Sequence, residues 1–120
     1  MNPVSSVAAP VNITNLTAPT SCLADFSLVP IGDGSTSFSQ QIAAIQRLCR
    51  QSGLKYVMHA TGTTIEGPWD QVHQVIGWAH SLLHQQGTAR IQTDVRVSTR
   101  TDKVQLMEAE ITTVERILAA

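Results

Sequence analysis

An α+β fold built on a four-stranded antiparallel sheet follows from three features of this 120-residue sequence. Short segments alternate apolar with polar residues, longer segments repeat apolar residues at helical spacing, and the two kinds follow one another in the order βαββαβα. Cys22 to Val29 places Ala24, Phe26 and Leu28 on one side and Asp25 and Ser27 on the other, then halts at Pro30 and a Gly-Asp-Gly turn. This predicts a half-buried first strand. Ser37 and Gln40 have the spacing of a capping box, and Phe38, Ile42, Ile45, Leu48 and Cys49 recur at helical intervals until Gly53 offers a C-terminal stop.

Tyr56 to Thr61 and Thr63 to Glu66 read as two short strands hinged at Gly62, with Pro68 suited to the first position of a second helix. Val72, Val75, Ile76, Ala79 and Leu83 give that helix its apolar stripe, which ends before Gly87. Ala89 to Ser98 alternates again, Ile91, Thr93, Val95 and Val97 against Gln92, Asp94, Arg96 and Ser98. Asp102 and Gln105 can cap a last helix, in which Val104, Met107, Ile111, Val114 and Leu118 form a narrow pairing stripe. The order fits the ferredoxin-like plan, two helices on one face of the sheet, with an additional C-terminal helix. Residues 1–21 are rich in Ala, Pro, Ser, Thr and Asn and follow neither period; they are expected to form a flexible arm before a single domain over 22–120.

Composition narrows the function. Hydrophobic residues make up 42% of the chain, charged residues only 14%, and the net charge is −1, so no global field attracts polyanions. Two cysteines are too few for a disulfide framework, and Cys49 on the apolar stripe of the first helix reads as a buried thiol. The opening residues lack the basic and apolar regions of a signal peptide, and the expected location is cytoplasmic, with no membrane partner. His80 and His84 stand at i, i+4 but lack the motif of a zinc hydrolase, and no metal site is assigned.

Pleat alternation assigns Asp25, Ser27, His59, Thr61, Thr64, Glu66, Gln92, Asp94 and Arg96 to the sheet face away from the helices, with the phase of Thr64 and Glu66 depending on the bend at Gly62. An RNA-binding sheet of this plan would carry aromatic and basic residues there, so nucleic acid is not expected as a partner. A single sheet with one helical layer leaves this face open to a second copy, whose pairing would enclose the polar residues in a cavity between subunits. Glu66, among Thr61, Gly62, Thr63, Thr64 and Gly67, admits two readings: an acceptor for a ligand, or a salt-bridge partner of Arg96 or Arg100 in a threonine-rich hairpin.

The motifs Ala-Asp-Phe-Ser-Leu-Val-Pro-Ile-Gly at 24–32, Gly-Thr-Thr-Ile-Glu-Gly-Pro-Trp-Asp at 62–70, His80, and Arg-Thr-Asp-Lys at 100–103 resemble, in combination, the small thiamine-binding family related to YkoF. The resemblance implies a ferredoxin-like homodimer or homotetramer without catalysis, binding thiamine or its hydroxymethylpyrimidine part. The residues expected at that ligand are Asp25, Ser27, His59, Thr61, Thr63, Thr64, Glu66, Asp94, Arg96 and Arg100; no other cofactor and no catalytic residue is expected. The alternative is a small enzyme using His59 and Glu66 as an acid and base pair on a heterocycle.

Overall fold

The computed structural model describes residues 10–32, 34, 37–104 and 107–120. Its elements are β1 (Ser21–Pro30), α1 (Ser39–Ser52), β2 (Lys55–His59), β3 (Gly62–Pro68), α2 (Trp69–Gln85), β4 (Ile91–Ser98) and α3 (Met107–Ala119), preceded by a single 3-10 turn at Ile13–Asn15. The four strands form one antiparallel sheet in the order β2-β3-β1-β4, the ferredoxin-like arrangement. β1 is central and pairs with both β3 and β4, which is why its side chains on the helix side, Cys22, Ala24 and Phe26, are among the most buried. Pro30, lacking an N–H, ends that strand, and the Ile31 N–H then donates to the Arg90 carbonyl at 2.9 Å.

α1 and α2 cover one face, closing a core in which Ile65, Val72, Val75, Cys49 and Leu83 are almost fully buried. Each such aliphatic side chain stabilises the fold by about 1.5–3 kcal/mol relative to exposure. Trp69 packs against this core, whereas Trp78 is about half exposed. His80 ties α2 to β4 through a 2.6 Å hydrogen bond between its Nε2 and the Thr93 hydroxyl.

Three local expectations are corrected. The N-cap of α1 is Phe38, not Ser37; the Ser37 hydroxyl accepts instead from the Ser39 N–H at 3.4 Å, and the Phe38 carbonyl accepts from Ile42 N–H, so the helix starts later. Pro68 is the last residue of β3 and the N-cap of α2, with extended ψ of 139°, and the Trp69 N–H that follows donates to the Thr20 carbonyl at 3.2 Å. α3 begins at Met107, so Val104 precedes it; the Asp102 carboxylate is held by Arg100, and Gln105 of the expected capping box lies outside the described residues. So do residues 1–9 of the arm and Asp33, Ser35 and Thr36 of the loop after β1.

α3 stands apart from the two-layer body. Met107 is its one buried residue among those described, while Ile111, Val114, Ile117 and Leu118 are about half exposed or more.

Candidate functional site

The hairpin joining β2 and β3 decides which side chains share the open face. Its loop is two residues, Ala60 and Thr61, so His59 pairs with Gly62, Val57 with Thr64 and Lys55 with Glu66. Thr64 and Glu66 therefore lie on the face away from α1 and α2, and Thr61 sits in the turn. Thr63 faces the other way. It is buried beneath α1, where its hydroxyl accepts from the Gln46 side-chain amide at 2.9 Å. Gly62 is required by space: a Cβ there would lie 2.5 Å from the Phe26 carbonyl oxygen. The threonines and glycine around Glu66 thus build a hairpin, and Glu66 is the residue of that segment that reaches further.

Two zones divide the open surface. In the middle of the sheet, Asp25 stands between Thr64 on β3 and Arg96 on β4, Ser27 opposite Asp94, and His59 Nε2 lies 3.2 Å from Asp25 Oδ1. Asp25, Ser27 and Thr64 are half-buried and His59, Asp94 and Arg96 exposed on a regular sheet face. His59 and Glu66, four residues apart along paired strands, are separated by about 13 Å at roughly 3.3 Å per residue. The His59 ring turns to Asp25 and the Glu66 carboxylate to Met107, so the two side chains are not paired with each other.

The second zone is a cavity of about 910 Å³ at one end of the sheet. Its walls come from residues 20–23, from residues 53–55 around the start of β2, from Glu66 and Gly67, from the loop 98–104 and from Glu110 of α3. Of the residues expected at a ligand, Glu66 and Arg100 line it; Asp25, Ser27, His59, Thr61, Thr63, Thr64, Asp94 and Arg96 do not. Lys55 of β2 joins them, as do Lys103 and the hydroxyls of Ser98, Thr99 and Thr101, from the end of β4 and the loop after it, whose dense Ser, Thr and charge content was the available signal. Leu23, Leu54 and Val104 give apolar surface, and no aromatic side chain lines the cavity among the described residues.

Charge in the cavity is balanced, three cations (Lys55, Arg100, Lys103) against three carboxylates (Glu66, Asp102, Glu110), so recognition depends on placement rather than on net field. Arg100 grips Asp102 with two hydrogen bonds of 2.7 and 2.6 Å, which hold the Asp102 carboxyl down to about 2. Lys55 Nζ is 2.7 Å from Glu108 Oε1, and that hydrogen bond raises the lysine pKa.

Glu66 pairs with neither Arg96 nor Arg100. Its Oε2 accepts from the Met107 backbone N–H at 2.8 Å, capping the first turn of α3 from a strand 41 residues earlier in the chain. Its Oε1 is buried and has no hydrogen-bond partner among the described residues. A buried acceptor left without a donor costs on the order of 1–3 kcal/mol, more for a charged group.

Residues 24–115 match the family model described as thiamine-binding protein. The chain is 44% identical over 97 residues to the UPF0045 protein ECM15 of Eremothecium gossypii, covering 81% of this chain and 92% of that protein. It is 41% identical over 93 residues to the UPF0045 protein sll0230 of Synechocystis, covering 78% and 76%. Among solved structures, a hypothetical protein of Methanocaldococcus jannascii superposes with a TM-score of 0.71 at 24% identity, over 81% of this chain and 98% of that one. A Thermotoga maritima protein provisionally assigned to thiamine biosynthesis or salvage gives 0.66 at 15% identity, over 78% and 98%. At those identities the two structures speak for the fold; the match over residues 24–115 and the relatives above 40% identity place this chain in the thiamine-binding protein family.

Proposed function

We propose that this chain binds thiamine or its hydroxymethylpyrimidine moiety without transforming it, in the end cavity beside Glu66, and that it does so in the cytoplasm as a homodimer or homotetramer. The observation that carries the reading is a cavity of about 910 Å³ lined by Glu66 and Arg100 together with apolar and hydroxyl side chains, within the 300–1,000 Å³ span of small-molecule sites. Family membership supports this choice of ligand class. Leu23, Leu54 and Val104 offer the apolar wall against which a flat heterocycle lies, Glu66 the acceptor, and Arg100, Lys103 and the loop hydroxyls the polar rim.

The residues on the middle of the sheet, Asp25, Ser27, His59, Thr64, Asp94 and Arg96, enter this reading through assembly. In a symmetric pair with the open faces together, each copy presents them to its partner, and the cavity opens onto that interface. Thr61 and Thr63 serve the hairpin.

Calorimetry of the purified protein against thiamine, hydroxymethylpyrimidine and thiamine phosphate tests the proposal. Saturable binding of thiamine or of the pyrimidine, lost when Leu23 is replaced by Arg at the cavity wall, is the expected result. Absence of heat with all three ligands at millimolar concentration refutes it.

A further inference from the structure

The second half of α2 carries two histidines one turn apart, His80 half-buried and His84 exposed. The i, i+4 spacing puts both side chains on one side of the helix. Spacing alone does not make a ligand pair, and the sequence offers no more than that. The fold adds an oxygen partner for each ring. His84 Nδ1 lies 2.7 Å from the Thr88 carbonyl oxygen, which can only accept, so Nδ1 carries a proton and the lone pair of the neutral ring is on Nε2. His80 Nε2 lies 2.6 Å from the Thr93 hydroxyl, which leaves Nδ1 as the second nitrogen of that ring. Histidines that bind metals are held in this way, one nitrogen donating to an oxygen of the protein and the other on the metal.

We propose that His80 and His84 together bind a late first-row divalent cation of the class of Zn²⁺, Ni²⁺ or Cu²⁺, the cations that imidazole suits. Their ring centroids are 6.3 Å apart and the rings are tilted by 56°. Two imidazoles on one cation, each with a metal–nitrogen bond of about 2.0–2.1 Å, bring their centroids to on the order of 5–6 Å. The remaining difference is closed by a small turn of the exposed His84 side chain about its own bonds. Among the described residues no third His, Cys, Asp or Glu joins the pair, so water completes the coordination and the site binds as a two-armed surface chelate. Hard cations such as Mg²⁺ and Ca²⁺, which take oxygen ligands, are not held there.

The two partners of the histidines lie on either side of the start of β4, Thr88 before Ile91 and Thr93 within the strand. A cation shared by the rings therefore fastens α2 to the strand that follows it, at a place where the bond between His80 and Thr93 already joins them. Neither histidine lines the end cavity, so the inference stands apart from the thiamine-binding reading.

The experiment is calorimetric titration of the full chain, without a histidine tag, with Ni²⁺ and separately with Mg²⁺. The chain has four histidines, and His73, whose Nδ1 is bonded to the Trp69 carbonyl at 2.7 Å, serves as the control. Expected for wild type is one equivalent of Ni²⁺ and no heat with Mg²⁺. His84→Ala should weaken Ni²⁺ binding at least tenfold, because the second arm of a chelate binds at high effective concentration, while His73→Ala leaves it as in wild type. His84 is exposed, so its replacement leaves the fold intact, as circular dichroism should show. Paramagnetic resonance of the Cu²⁺ complex gives a second reading, with coupling to two imidazole nitrogens in wild type and to one in His84→Ala. Absence of Ni²⁺ binding by wild type at millimolar concentration overturns the inference. So does an affinity unchanged by His84→Ala, or coupling to a single nitrogen in wild type.

Discussion

Replacing Gly62 by alanine isolates a steric requirement from a conformational one. Gly62 is not among the residues with positive φ, so alanine meets no backbone penalty there. Its Cβ, however, would sit 2.5 Å from the Phe26 carbonyl oxygen and 3.3 Å from the carbonyl carbon. Ordinary carbon to oxygen contacts between strands are about 3.3–3.6 Å, so the shortfall is roughly 0.8 Å or more. The obstacle is backbone of the central strand, which is paired on both sides and cannot yield alone. Overpacking of this kind costs about 1–3 kcal/mol and occasionally more; removing a glycine from a strand returns about 0.5–1 kcal/mol. We expect a net loss of about 1 kcal/mol, or roughly 4–8 °C in the unfolding midpoint for a domain of this size. Urea unfolding at fixed protomer concentration measures it, with Gly53→Ala as the contrast. Gly53 has φ of 76° and open space around its Cβ, so its loss is conformational only, about 1–2 kcal/mol. A Gly62→Ala protein within 0.5 kcal/mol of wild type would show that β1 and β3 separate easily and that the hairpin register is not held by this contact.

Burial pushes the Cys49 thiol up to about 11, so between its ordinary value near 9 and 11 the unfolded chain loses a proton that the folded chain keeps. Stability should be level below pH 9 and fall by on the order of 2–3 kcal/mol as pH rises to 11; Cys49→Ala should flatten the alkaline fall, and an unchanged slope in denaturant titrations would place its origin elsewhere. Truncation should be tolerated through Pro19 but not through Ser21, because Ser21 pairs with Pro68 and the Thr20 carbonyl holds the Trp69 N–H; equal melting temperatures for truncations at both points would contradict this. Ile111→Asp, on the exposed stripe of α3, should reduce the sedimenting mass while leaving circular dichroism intact, since an unpaired charge is disfavoured only where a partner would bury it; unchanged mass would remove α3 from any interface.

The body of the fold was legible because its signals are local and repeat. Ala24, Phe26 and Leu28 alternate with Asp25 and Ser27 over enough residues to fix a face, and the stripe Val72, Val75, Ile76, Ala79, Leu83 has no reading but a buried helix side. Element ends were less legible because they are set by single contacts. Ser37 has the composition of an N-cap, yet the backbone reaches helical geometry only at Ser39. The phase of Thr63, Thr64 and Glu66 turned on whether the hairpin loop held an even or odd number of residues, and a sequence rich in Thr and Gly carries little to distinguish them. With two loop residues, Thr63 goes beneath α1 and Glu66 to the open face.

The partner of Glu66 could not be read at all. Charge complementarity nominated Arg96 and Arg100, the two cations nearest in expected strand order, but Arg96 lies in a different row of the sheet and Arg100 is gripped by Asp102. What Glu66 meets is a backbone N–H, which every residue but proline possesses and which therefore leaves no trace in composition. The contact gives the first described N–H of α3 an acceptor from the sheet, 41 residues away in the chain. A helix started in this way is tied to the state of the carboxylate.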